Sequence, residues 1–275
     1  MISVSYPERS EPASDWRRGA AAVAAVSFDV DAETPILAED PKYATHLSTM
    51  SHQAYGPRVG VPRILSLLER IELRATFFFP GATAERWPGT LEVVLAAGHE
   101  VAYHSYAHKP LVSLSEPEQE EDFWGGLEVL RRLGASPVGY RAPLWQQTAF
   151  TLQLVSAAGL RYDSSLMDDD RPYVIDGLAE LPVHWSLDDW EQYAYLPAPD
   201  VGSNIETPGK VLELWTGELD AMRATGSLCM ICCHPFLSGR PSRLRTIERF
   251  VEFARRCGDV ELATCGEIAS RVLSA

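Results

Sequence analysis

The 275 residues carry 24 Lys and Arg against 38 Asp and Glu, a formal net charge of -14, with 46% hydrophobic and 23% charged residues. That acidic balance excludes a nucleic-acid backbone as the main partner, because phosphate binding needs clustered Lys and Arg, and it disfavours an anionic membrane surface. The composition is that of a globular chain with a substantial core, long enough for one large domain or two small ones.

Residues 1–18 are polar and read as a loose arm ahead of a single domain over 19–275. The start lacks the basic segment and apolar stretch of a secretory signal, which points to a cytoplasmic protein. The apolar run Ala20 to Val26 is too short for a bilayer, which needs about 20 apolar residues, so it reads as a buried strand. Short apolar runs then alternate with amphipathic segments. The expected strands are Ala22–Phe28, Ala75–Phe79, Val101–His104, Val138–Arg141, Leu181–His184, Leu228–Cys233 and Val260–Ala263. Between them the expected helices are Val61–Arg70, Thr83–Ala97, Ser115–Leu133, Gln147–Ala158, Thr207 to about Ala224, and Ser242–Cys257. Ser115 and Glu118 have capping-box spacing, and Thr207-Pro208 reads as an N-cap followed by proline at the first helical position. Thr34 to Gly60, with prolines at 35, 41 and 57, reads as a loop that covers the site or mediates assembly. Alternating strands and helices imply right-handed crossovers and mostly parallel pairing, and about seven such units suggest a barrel. Of the five cysteines, Cys229 and Cys232 form one CxxC inside an apolar strand, where alternation puts them on opposite faces. Without a second CxxC a zinc ribbon is disfavoured, and the odd count points to reduced thiols.

Parallel α/β folds gather their chemistry at the carboxyl ends of strands. This chain has reactive residues there. The first strand runs into Asp29, Asp31 and Glu33, with Asp29 and Asp31 on one side of an extended chain. Two carboxylates forced together have divergent pKa values unless a cation intervenes. After the third strand come His104 and His108, four residues apart, about one helical turn, so both imidazoles point one way and suit a zinc-class metal. Taken singly, these are equally a solvated acidic turn and two ordinary polar histidines. The later strand ends bring Arg141 with Trp145, then Asp188-Asp189-Trp190, then His234. Of the other histidines, His99, His46 and His52 read as structural and His184 as a site candidate. Tyr140 and Trp190 read as packing.

These residues resemble the polysaccharide deacetylase family, over roughly residues 20 to 270. The matching motifs are Phe28-Asp29-Val30-Asp31, His104-Ser105-Tyr106-Ala107-His108, Arg141-Ala142-Pro143 with Trp145, Asp189-Trp190, and Ile231-Cys232-Cys233-His234. The resemblance implies an α/β fold, a distorted (β/α) barrel of about seven parallel strands. It implies a divalent ion, zinc by type, on Asp31, His104 and His108, where it would activate water and polarise a carbonyl. It assigns Asp29 as general base, Arg141 as the cation keeping Asp29 ionised, and His234 as the acid for the leaving nitrogen. Asp189 would orient His234, with Asp163 or Asp188 as alternatives, and Trp145 and Tyr106 would meet the substrate. Val30 separates the family's adjacent acids and leaves the roles of Asp29 and Asp31 exchangeable. It also places the chain near a Phe-Asp-x-Asp branch, as does Tyr162 to Tyr173. That branch includes cytoplasmic peptidoglycan deacetylase-like proteins and relatives acting on allantoin or cyclic imides. The implied activity is hydrolysis of non-peptide carbon–nitrogen bonds. The expected substrate is an N-acetylated sugar, with a small cyclic amide as alternative and a non-catalytic scaffold as the third reading. Relatives in this branch form homo-oligomers, so a tetramer is expected by resemblance.

Overall fold

The computed structural model describes residues 7–12, 15–202 and 204–275. Its first strand, β1 (Ala22–Asp29), is buried throughout, and its two faces meet different surroundings. Ala22, Ala24, Val26 and Phe28 pack into a large layer shared with helices, whereas Val23 and Ala25 belong to a second cluster on the other side of the sheet. A period of two therefore sends Ser27 and Asp29 to that inner side. The remaining strands are β2 (Thr76–Phe79), β3 (Glu100–Tyr103), β4 (Gly139–Tyr140), β5 (Tyr162–Asp163), β6 (Tyr173–Ile175), β7 (Leu178–Glu180), β8 (Leu196–Pro197), β9 (Asp200–Val201), β10 (Leu228–Cys233) and β11 (Val260–Leu262). In β10, Cys229 and Cys233 face the helical layer while Met230 and Cys232 face inward, so the CxxC pair does split across the sheet.

The strand order is β10-β1-β2-β3-β4-β5-β7-β6, with β11 also pairing β1. Pairing is parallel from β10 to β7 and antiparallel between β7 and β6. A parallel bridge between Asp188 and Cys232 brings the chain beyond β7 beside β10 and curls the sheet toward closure. This is the distorted barrel of about seven parallel strands that the family resemblance implies, with β6 as an antiparallel edge.

The helices are α1 (Thr34–Glu39), α2 (Leu47–Tyr55), α3 (Val61–Arg70), α4 (Gly81–Arg86), α5 (Pro88–Ala96), α6 (Glu116–Arg132), α7 (Ala149–Ala157), α8 (Asp189–Tyr193), α9 (Pro208–Thr225), α10 (Pro235–Ser238), α11 (Pro241–Cys257) and α12 (Cys265–Val272). The capping box forms at Ser115 and Glu118, and Thr207 caps α9 by accepting from the Lys210 N–H. Among the described residues no helix is long and apolar enough to cross a membrane.

Four expectations need correction. The stretch from Thr34 to Gly60 is helical, because Pro35 and Pro41 stand at helix starts, where a missing N–H costs nothing. The expected helix Thr83–Ala97 breaks at Trp87, since Pro88 opens a new one. No strand forms over Leu181–His184, where Pro182 cannot donate to a ladder; the strand lies earlier, at β7. Residues 1–6 and 13–14 of the expected arm lie outside the described residues, but the rest is tied down. Trp16 is buried in the inner cluster, and the Ser10 N–H donates to the Val174 carbonyl at 2.8 Å.

Candidate metal centre and active site

Asp31 lies just past β1, with its main chain fixed from α4. The Thr83 hydroxyl donates to its carbonyl at 2.7 Å. Its carboxylate is 1% exposed, and neither oxygen receives a hydrogen bond. Three imidazoles surround it: His108 Nε2 at 3.3 Å, His234 Nε2 at 3.5 Å and His104 Nε2 at 3.6 Å. Burial opposes its charge, but His108, with His104 and His234 behind it, holds the carboxyl well below the usual range. Two buried oxygens without a donor are costly unless a cation satisfies them. Asp31, His104 and His108 can bring their ligand atoms within 4.8 Å of one another. The His104 Nδ1–H donates to the Arg141 carbonyl at 2.7 Å, which leaves Nε2 with its lone pair toward Asp31. A carboxylate and two neutral imidazoles are donors that fit a zinc-class ion with open positions.

The imidazoles do not share a helical face, as their spacing suggests. Ser105 (φ 65°) and His108 (φ 57°) are left-handed, so the segment is a loop folded back on itself, with the two rings 4.9 Å apart. A second grouping, Asp188, Cys232 and His234, also lies within ligand reach. Burial pushes the Cys232 thiol far up, which makes it a poor thiolate donor there.

Asp29 is set apart from Asp31 by its partner. Arg141, 0% exposed, gives Asp29 Oδ1 a hydrogen bond of 2.7 Å. The guanidinium also donates to the Ser27 hydroxyl at 3.0 Å and the Ser164 hydroxyl at 3.1 Å, and lies 4.0 Å above the Phe78 ring. Burial opposes the charge on Arg141, but Asp29 outweighs it and raises the pKa further. The Cys232 thiol donates to Asp29 Oδ2 at 3.4 Å. The third acid of the strand end, Glu33, turns away and accepts from the Trp87 indole at 2.8 Å.

His234 follows β10 on its inner face. Its Nδ1 pairs with Asp189 Oδ1 at 2.7 Å, and Asp189 also accepts from the His234 N–H and the Ser238 hydroxyl. Asp188 lies 3.6 Å from the same Nδ1 and caps α8 by accepting from the Trp190 N–H. Burial works against a charged imidazole, but Asp188, Asp189 and Asp31 outweigh it and push His234 up to about 10. Burial likewise pushes Asp188 up to about 7. Asp163, the other alternative partner, accepts from Gln147 and Ser165 and has no bond to His234.

Asp29, Asp31, His104, His108 and His234 line a cavity of about 170 Å³. Leu144, Trp145, Trp185 and Trp190 form its walls, with Trp145 and Trp185 stacked at 4.6 Å. A wider cleft of about 380 Å³ adjoins it, sharing His108, Leu144 and Trp190 and bounded by α1 and the β8–β9 hairpin. Trp145 thus sits where the motif implies, and Trp190 joins it. Tyr106 does not: beyond the left-handed Ser105 it turns outward, and its hydroxyl donates to Glu85 at 3.0 Å. His184 is exposed and bonded to Ser186, away from the cavity. Trp185 and Leu144 had no motif to mark them. Asp122, which bonds the loop between the two histidines, looked like one more acid on a helix.

The polysaccharide deacetylase family model matches residues 54–162. A solved structure from Mycobacterium smegmatis, assigned as a polysaccharide deacetylase, is 44% identical, with a TM-score of 0.93 over 98% of this chain and 96% of that one. The peptidoglycan deacetylase of Helicobacter pylori is 26% identical over 82% of this chain and 87% of its own length. The structure of PuuE allantoinase, 24% identical, shares the fold over 99% of both chains with a TM-score of 0.83. The chain therefore belongs to the polysaccharide deacetylase family and is a hydrolase of carbon–nitrogen bonds other than peptide bonds.

Proposed function

We propose that this site removes the acetyl group from an N-acetylated sugar, with zinc as the ion held by Asp31, His104 and His108. The observation that carries it is the buried, donorless carboxylate of Asp31 beside two imidazoles, with an acid and a base on either side. A divalent ion bound there supplies a Lewis acid that polarises the acyl carbonyl and acidifies water. Asp29, paired with Arg141, takes the proton of the attacking water as its oxygen adds to the acyl carbon. The carbon–nitrogen bond breaks as His234, oriented by Asp189, delivers a proton to the leaving amine. The named activity of the Helicobacter pylori relative supports an acetamido sugar. Trp145 and Trp185 offer apolar faces against which a sugar ring can pack, and the adjoining cleft gives a longer substrate a path outward.

A second reading keeps the chemistry and changes the substrate to a small cyclic amide. The size of the cavity favours it, since about 170 Å³ lies below the roughly 300–1,000 Å³ of pockets for drug-sized ligands. The zinc-loaded enzyme should be assayed side by side on N-acetylglucosamine oligomers and on succinimide- and hydantoin-type rings. The deacetylase reading expects free amine and acetate from the oligomers, with rates rising from monomer to trimer as the cleft fills. Ring opening with silent oligomers would replace that reading with the second.

A further inference from the structure

The loop that carries both histidine ligands is held by contacts that neither histidine makes. Two of its peptides, 105–106 and 106–107, have both their C=O and N–H groups bonded to neighbouring helices. On one side the α4 terminus donates to its carbonyls, Gly81 N–H to Ser105 at 2.9 Å and Ala82 N–H to Tyr106 at 3.0 Å. On the other side one carboxylate, that of Asp122 on α6, collects the donors. Tyr106 N–H reaches Asp122 Oδ2 at 2.9 Å, Ala107 N–H reaches Oδ1 at 3.0 Å, and the Ser105 hydroxyl also donates to Oδ2.

We propose that Asp122 is the positioning residue of the metal loop, holding Ser105 to Ala107 in the folded-back path that aims His104 and His108 at one ion. The inference rests on the metal reading of Asp31, His104 and His108. Two left-handed residues, Ser105 and His108, make that path unfavourable for a free loop, so something must hold it. One side chain that accepts from three donors of the loop is the strongest such contact on this segment. The packing leaves α6 close enough to provide it. A Cβ at Gly126 would lie 2.4 Å from the Tyr103 hydroxyl and 2.9 Å from the Tyr106 Cα, so this helix approaches the loop only because glycine stands there. Second-sphere contacts of this kind are typically worth about 10–100-fold in metal affinity.

The test is zinc affinity of the full chain, stripped with a chelator and titrated against a competing chromogenic chelator, so that catalysis plays no part. Asp122→Asn keeps the shape of the side chain but turns an NH₂ toward one loop N–H, so both would be donors. It is expected to weaken zinc by about 10–100-fold. Ser105→Ala, which removes one of the three bonds, should weaken it by a smaller factor. Glu121→Gln, on the same helix and outside the clamp, should match the wild type. A folded Asp122→Asn with wild-type zinc affinity overturns the inference. If that variant does not fold, Ser105→Ala with unchanged affinity overturns it. Wild-type protein that takes up no zinc fails differently, because it removes the metal reading along with the inference.

Discussion

Asp29→Asn and His234→Ala are each expected to retain one bound divalent ion while kcat falls by about 10²–10⁴-fold, the usual range for a lost general base or acid. The separation follows from the partners. Asp29 spends one oxygen on Arg141, and its other oxygen stays 3.8 Å from His104 Nε2. Asparagine can still accept from Arg141, yet it cannot take a proton from water. His234 is held through Nδ1 by Asp189, so its Nε2 faces Asp31 and the cavity. Alanine there removes the proton donor and leaves Asp31, His104 and His108 intact. Metal content and steady-state rates measured together decide the roles. If Asp29→Asn empties the site while Asp31→Asn stays loaded, ligand and base are exchanged between the two acids.

Arg141→Ala should cost about 3–5 kcal/mol of stability, because it strands the buried Asp29 carboxylate without its cation. The fall in Tm should be on the order of 10 °C for a chain of this size. The loss reaches beyond one ion pair: the guanidinium also fills the inner side of the sheet between Ser27, Ser164 and the Phe78 ring. Arg141→Lys keeps the charge but lacks the planar fork that serves these partners together, so it should fall between alanine and wild type. A melt of Arg141→Ala that superimposes on wild type would remove the pair from the account of stability.

The parts of the fold that were legible in the sequence are those where one face decides. β10 was bounded correctly because six buried residues in a row leave no choice but a strand covered on both sides. The strand-end acids and histidines could be placed on one rim because parallel topology puts every carboxyl end at the same mouth. What failed depended on backbone direction or on packing between distant segments. Tyr106 stands between His104 and His108, but the left-handed Ser105 turns it outward, and sequence spacing says nothing of that sign of φ. Prolines 35 and 41 fall in the stretch expected to be a loop, although proline opens a helix as readily as it ends one. Asp122 lies in a run of acids on α6, and only the close approach at Gly126 distinguishes it.

The central claim is that one cation site is assembled from strand ends 31, 104 and 108. Anomalous difference density from a zinc-soaked crystal reads it out directly. The expected result is a single strong peak bounded by Asp31, His104 and His108. No peak there, or a peak seated instead among Asp188, Cys232 and His234, would contradict the account.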